Sequence, residues 1–354
     1  MIAKNVLVTP YTKAWIGGVD HSKAPIYARV LRGKKPIDEF PENLYEEDAD
    51  KKSGTYLYGG PLKLHFGHVL LDTVPRLHGF DRKIHQGVIF PLLMEKKNSE
   101  IPGWVYDIFS YFGLNEKDIH IVRHPTNFES VEFVQPGLVS KLPSPQWYLD
   151  YLSQLSYRYY SNTPPNIYLG RTHLINQGTL MGESYFSELL ENYVYVKPEE
   201  HSLDMQISML ANADRILFTE GSSIYPVSLL PKISGNVYML GRRVGGSALF
   251  NKMVDCRGSF YNLGNENSLI RLDNKNGINK PNSPSYTLDP ESVFLDMVHF
   301  GMTSKPTFDW EEFISAEMKD TKKYFGSMTE RANQQLKDVN MRRNIVLKQK
   351  NNTD

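Results

Sequence analysis

Three short runs, NIYLGR (166–171), RILFTEG (215–221) and NVYMLGRR (236–243), constrain most how this chain can fold. Each has an apolar body and is too short for a globular helix. A strand with one wet face alternates apolar and polar side chains. A run without that alternation suits a strand buried on both faces, as in a parallel sheet covered by helices. Between the runs lie SYFSELLENY and SLDMQISMLANA, which carry helical spacing. Strand and helix therefore alternate, the pattern of an α/β domain.

The first half shows the same alternation. TYLYGG reads as a strand, followed by a helix-like segment from Phe66, the strand GVIFPLL and a helix around WVYDIFSYFG. DIHIVRH and VEFVQPG complete it as strands. PSPQWYLDYLSQLSYRYYSNTPP, with proline at both ends, reads as one long helix joining the halves. After Gly264 the polar stretch GNENSLIRLDNKNGINKPNSPS is expected to be a surface loop. From Asp289 the chain reads as helical, and Arg342, Arg343, Lys348 and Lys350 read as a solvated helix end.

Composition narrows the function classes. A chain of 354 residues suits two domains. Its 40 basic side chains balance 40 acidic ones, so no overall attraction to nucleic acid is implied. The only cysteine, Cys256, excludes a disulfide framework and a cysteine-rich metal site. The opening MIAKNVLVTPYTK lacks the pattern of a secretory signal, and VIFPLLM is far too short to span a membrane. The chain reads as cytoplasmic.

HFGHVLLDTVPRL (65–77) is unusual for a helix surface. At about 100° per residue, His65, His68, Asp72 and Arg76 share one stripe, and Phe66, Leu70, Val74 and Leu77 share the opposite one. Solvent-facing stripes are built mostly from Lys and Glu, so two His and an Asp suggest chemistry. The plain alternative is an ordinary amphipathic surface helix. Two His and a carboxylate can also hold zinc, but the usual helical His pair is spaced by four with a glutamate between. No DxD pair stands at a strand end, and no metal is expected.

In the second half, RILFTEGSSIYPVSLLP reads as a buried strand, a tight turn at Glu220 and Gly221, and a helix capped by Ser222 or Ser223. Such a turn lies at the carboxyl edge of a parallel sheet, where ligands bind in open α/β folds. Free N–H groups there favour a phosphate or carboxylate, and Glu220 suits a ribose or sugar hydroxyl. Arg171 closes NIYLGR at the same edge and can pair with a diphosphate, as can Arg242 and Arg243 after NVYMLG. A plain serine-capped turn with surface arginines is the alternative. GRRVGGSALF lacks the G-x-G-x-x-G order of a dinucleotide-binding dehydrogenase.

Taken in order, FGHVLLDTVPRL, IYLGRTHLINQGTLMGES and SLDMQISMLANADRILFTEGSSIYPVSLLP resemble glycosyltransferase family 61 of the bacterial capsular polysaccharide type, from about Gly54 to Leu240. The resemblance implies a GT-B fold, with two Rossmann-like domains facing across a cleft. Residues 1–160 would form the acceptor-side domain and 161–270 the nucleotide-sugar domain, with 271–354 a surface loop and helical extension. It implies inverting transfer from a nucleotide sugar to a hydroxyl of a glycan or lipid-linked glycan, without a cofactor or bound metal, at the inner face of the membrane.

By position, His68 and Asp72 match the family's His-to-Asp segment, Arg171 its strand-closing arginine, Glu183 its glutamate, Gln206 its glutamine and Gly221 its glycine. Donor contacts are therefore expected from Arg171, Glu183, Gln206, Glu220, Gly221, Ser222, Ser223 and Arg242, and acceptor contacts from His65 and Arg76. Two departures stand out: THLINQ offers no second arginine after Arg171, and Glu-Gly-Ser replaces the frequent His-Gly-Ala. Either His68, oriented by Asp72, or Asp72 itself would remove the acceptor proton. The other class consistent with the sequence is a non-catalytic protein that binds a nucleotide or glycan.

Overall fold

A computed structural model describes residues 1–12, 15–41, 49–94, 100–155 and 160–351. The chain forms two compact units: Met1–Tyr159 with Tyr225–Lys232, and Tyr160–Ile224 with Ile233–Asp354. Both are α/β.

The first unit contains β1 (Ile2–Thr9), β2 (Gly18–Val19), β3 (Leu31–Arg32), β4 (Lys35–Pro36), β5 (Asp50–Tyr58), β6 (Val88–Pro91), β7 (Ile119–Val122) and β8 (Thr126–Glu132). Its main sheet has the order β2-β1-β8-β5-β6-β7. Strands β8, β5, β6 and β7 are parallel, β5 to β7 as the apolar runs predict, whereas β8 overlaps the expected VEFVQPG run only at Val131 and Glu132, and β1 runs antiparallel to both β8 and β2. The sheet is thus mixed. Strands β3 and β4 form a separate small hairpin. Val6, Val8, Tyr58, Ile89, Phe128 and Val131 share one core cluster.

Its helices are α1 (Phe66–His68), α2 (Gly103–Tyr111) and α3 (Gln146–Gln154). The expected long helix from Gln146 is only α3, because Leu155 already has extended backbone. The SYRY part of that expected helix lies outside the described residues, and Tyr160 onward is not helical.

The second unit is built on β9 (Asn166–Leu169), β10 (Val194–Tyr195), β11 (Arg215–Thr219), β12 (Asn236–Leu240) and β13 (Ser259–Leu263). All are parallel, in the order β10-β9-β11-β12-β13. In chain order this is 2-1-3-4-5, a doubly wound sheet whose strand order reverses between β9 and β11. Apart from their first residues, β9, β11 and β12 are buried throughout, as helix cover on both faces requires. Tyr168, Leu217, Tyr238 and Leu240 join one core cluster with Phe186, Val293 and Phe313. On the other side of β11, Phe218 meets Phe250.

The remaining elements are β14 (Leu269–Arg271), β15 (Ser285–Thr287), α4 (Glu183–Glu188), α5 (Leu203–Asn212), α6 (Ser247–Val254), α7 (Pro290–His299), α8 (Trp310–Phe325) and α9 (Thr329–Asn351). The expected loop after Gly264 is structured in part, since β14 pairs antiparallel with β15. Arg343, expected at a solvated end, is buried and forks onto Glu317 at 2.7 and 3.1 Å while donating to the Thr287 carbonyl at 2.9 Å. Among the described residues no helix is long and apolar enough to cross a membrane.

Candidate functional site

In the first unit the segment after β5 coils in three different ways. Phe66–His68 is α-helical, Val69–Thr73 forms a π-helical turn, and Val74–Gly79 is 3-10 helix. Pro75 has no N–H to extend an α-helical ladder, so the helix changes type beside it. Such π turns often mark functional positions. The uniform stripe expected for a regular helix is therefore bent inward along its length. His65 is exposed, His68 is half-buried, and Asp72 and Arg76 are buried.

His68 and Asp72 do come together, with Nδ1 2.7 Å from Asp72 Oδ2. Arg32, on the β3–β4 hairpin, donates from Nη1 to Oδ1 at 2.9 Å and from Nη2 to Oδ2 at 3.2 Å. Burial pushes the Asp72 carboxyl up, but the His68 hydrogen bond and the Arg32 charge outweigh it and hold it below the ordinary aspartate value. A carboxylate so engaged is a poor proton acceptor. With Nδ1–H donated to Asp72, the imidazole lone pair lies on Nε2.

His65 packs edge-on against His68, with centroids 5.4 Å apart. Gly67 is required by close packing, since a Cβ there would sit 2.2 Å from the Tyr225 ring. Arg76 departs from its expected role on the acceptor wall. Its guanidinium donates to the Asp72, Tyr27 and Arg29 carbonyls, which makes it a brace of the interior. A recess of about 260 Å³, open solvent included, borders Asp72 and Arg76 between Leu31, Pro61 and Leu138.

In the second unit the strand-order reversal places the ends of β9 and β11 side by side. Arg171 follows the first and Gly221 the second. They touch: a Cβ on residue 221 would lie 2.6 Å from Arg171 Nη1. Arg171 is 7% exposed, and its Nε has no hydrogen-bond partner among the described residues. Burial lowers its proton affinity, opposed by the charges of Glu183 and Glu220. After β12, Arg242 donates to the Glu220 and Gly178 carbonyls. Burial, with repulsion from Arg171 next in weight, brings its guanidinium down to about 10. Two desolvated arginines that repel each other favour an anion that would neutralise both.

The two carboxylates have different work from that expected. Glu183 is fully buried. It accepts from Tyr168 Oη at 2.8 Å and Thr219 Oγ1 at 2.9 Å, and from the Arg171 N–H and Thr179 Oγ1. It ties the ends of β9 and β11 to α4 and so holds Arg171 in place from behind. Glu220 is also fully buried. It accepts the Arg242 N–H at 2.9 Å and pairs with the Arg243 guanidinium, so it fixes its own loop instead of presenting an acceptor for a sugar hydroxyl. Sequence reasoning missed this because a glutamate at a strand end reads alike whether it turns outward or back onto the turn.

The expected helix begins at Ser222 and is of 3-10 type, Ser222–Leu229, with Pro226 inside it. Ser223 and Gln206 line one recess with Leu169, Val196 and Met209. Gln206 donates to the Pro198 and His201 carbonyls at 2.8 and 3.0 Å, which leaves its Oε1, like Ser223 Oγ, buried and without a partner among the described residues. Among the described residues no group of three or more His, Cys, Asp or Glu side chains is placed to hold a metal ion.

The second unit is thus a parallel α/β domain that gathers Arg171, Arg242, Glu183 and Glu220 at its switch-point edge, and the first carries a buttressed His–Asp pair. No protein-family model matches the chain, and no curated protein matches it significantly.

Proposed function

We propose that the chain is an inverting glycosyltransferase of GT-B type that transfers a sugar from a nucleotide sugar to a hydroxyl of a bacterial surface glycan. The observation that carries this reading is the strand-order reversal of the second sheet, where buried Arg171 and half-buried Arg242 stand beside the Gly221 turn. That edge is suited to the diphosphate, and its two cations would stabilise the charge gathering on the leaving group without rearrangement. Gln206 and Ser223 would offer their unpartnered oxygens to the nucleoside.

His68 is the proposed base. Its Nε2 would take the acceptor proton as the hydroxyl attacks the anomeric carbon, and Asp72 would orient the ring and stabilise the imidazolium. His65 is the remaining acceptor contact. A lipid-linked glycan acceptor would bring the protein to the inner membrane face.

A thermal-shift titration with uridine, guanosine and cytidine nucleotides and their sugars tests the donor edge. One of them should stabilise the parent protein by about 2.7 kcal/mol at a hundred times its Kd. Arg171→Ala should remove most of that shift. No response to any nucleotide would sink the donor assignment.

A further inference from the structure

The geometry points to Arg32 as the residue that positions the His68–Asp72 pair and sets its charge. The inference rests on the reading of His68 as the base, and it adds a group about which the sequence gives no hint.

The carboxylate of Asp72 has two oxygens, and the Arg32 fork reaches both, at 2.9 and 3.2 Å. Oδ2 is shared, since His68 Nδ1 lies 2.7 Å from it. A planar guanidinium on both oxygens fixes the plane of the carboxylate. A fixed Oδ2 fixes the imidazole that donates to it, and so the tautomer with its lone pair on Nε2. Arg32 is itself held on a short hairpin, donating to the Leu31 carbonyl at 3.0 Å and lying 5.9 Å from the centre of the Trp15 ring. Trp15 in turn packs 6.1 Å from the His68 ring and has a φ of +66°, a backbone state that bulky residues rarely adopt. Hairpin, tryptophan and π turn thus converge on one carboxylate.

Arg32 also acts through its charge. An aspartate alone beside a histidine favours the imidazolium, which has already taken its proton and cannot act as a base. Arg32 places an opposing charge on the same carboxylate and helps hold Asp72 ionised. The other charged or titratable groups near His68 are His65 on its own segment and Lys63, whose ammonium lies 5.8 Å from the Trp15 ring centre. Behind Asp72, Arg76 donates to its backbone carbonyl. These neighbours are cationic or neutral, and among the described residues Asp72 is the carboxylate bonded to both His68 and Arg32, while Asp38 lies beyond Arg76 and pairs with Arg29.

The test is an NMR titration of the full chain with side-chain labels on His and Asp, together with kinetics, for the parent, Arg32→Gln and Arg32→Lys. In Arg32→Gln the Asp72 carboxyl should titrate higher, and the His68 ¹⁵N shifts should lose the single Nδ1–H tautomer. kcat should fall by about 10²-fold with little change in donor KM, and the acid limb of the rate profile should move to higher pH. Arg32→Lys keeps the charge without the fork. It should hold the Asp72 titration near the parent value and still lose part of kcat. Unchanged tautomer and titration in a folded Arg32→Gln protein would overturn the inference. If no sugar is transferred even by the parent, the glycosyltransferase reading fails while the NMR arm still decides what Arg32 does.

Discussion

At the scale of single residues, what matters is which polar groups already have partners. Asp72 meets Arg32 and His68 together, and its depressed protonation links it to stability. Its folded-state pKa lies below the unfolded one, so the stabilisation is present at neutral pH and lost as pH falls through the folded value. Asp72→Asn should therefore destabilise the protein at pH 7, and the difference from the parent should shrink below about pH 4. Urea unfolding at several pH values measures this. The same substitution should lower transfer by roughly 10²–10⁴-fold, because an amide no longer enforces the productive tautomer.

Gly67 makes a different prediction. Gly67→Ala puts a methyl where the Tyr225 ring now lies, and should cost about 1–3 kcal/mol in the same unfolding experiment. An unchanged midpoint would mean that the ring moves aside freely.

The site was only partly legible at this scale. His68 and Asp72 stand four apart on one segment, which local spacing can reveal. Arg32 reaches Asp72 from forty positions away in the polar stretch RVLRGKKP, where nothing marks it as special. Arg76 reads as a ligand contact from its place on the stripe, Glu183 from the family resemblance and Glu220 from its place at a strand end. Whether such a group meets solvent or a neighbouring carbonyl depends on a local turn that no periodicity encodes.

At the scale of elements, the buried parallel strands were legible, because burial on both faces leaves an unbroken apolar run. Strand β1 was not, since its partner β8 lies more than a hundred residues away. The hairpin of β14 and β15 was hidden by polar composition. Helix type beside Pro75 also escaped, because the residue shows where a helix is disturbed and not how. The end of the chain gave the plainest contrast, as Arg343 looked like one of a run of solvated cations yet enters the interior of α8 and α9.

The Arg343–Glu317 pair predicts how that helical extension is held. Arg343→Ala would leave Glu317 buried and unpaired, at a cost of roughly 3–5 kcal/mol near neutral pH. Burial already raises the Glu317 carboxyl above its ordinary value even with Arg343 beside it. A raised folded-state pKa gives stability at low pH that is lost as pH rises. The Arg343→Ala protein should thus be hurt least in acid and progressively more above the ordinary glutamate range. A pH-independent loss would show that packing of the arginine stem, and not its charge, holds the helices.

At the scale of the whole molecule, the proposed transfer assigns a different task to each unit. The first has a histidine whose proton-accepting nitrogen is set by a buttressed carboxylate. The second has a sheet edge with two desolvated arginines. Neither alone specifies transfer, since a cationic edge can bind a nucleotide without chemistry and a His–Asp pair can serve many reactions. The overall charge balance gives no long-range steering, so donor capture would depend on these local groups.

The most direct test is nucleotide release from uridine-, guanosine- and cytidine-linked sugars, with and without oligosaccharide acceptors, by the parent, His68→Ala and Arg171→Ala. One donor should be turned over by the parent. His68→Ala should bind it and leave it intact, whereas Arg171→Ala should fail to bind it. Turnover by His68→Ala at the parental rate would contradict the account, as would tight donor binding by a parent protein that never cleaves it.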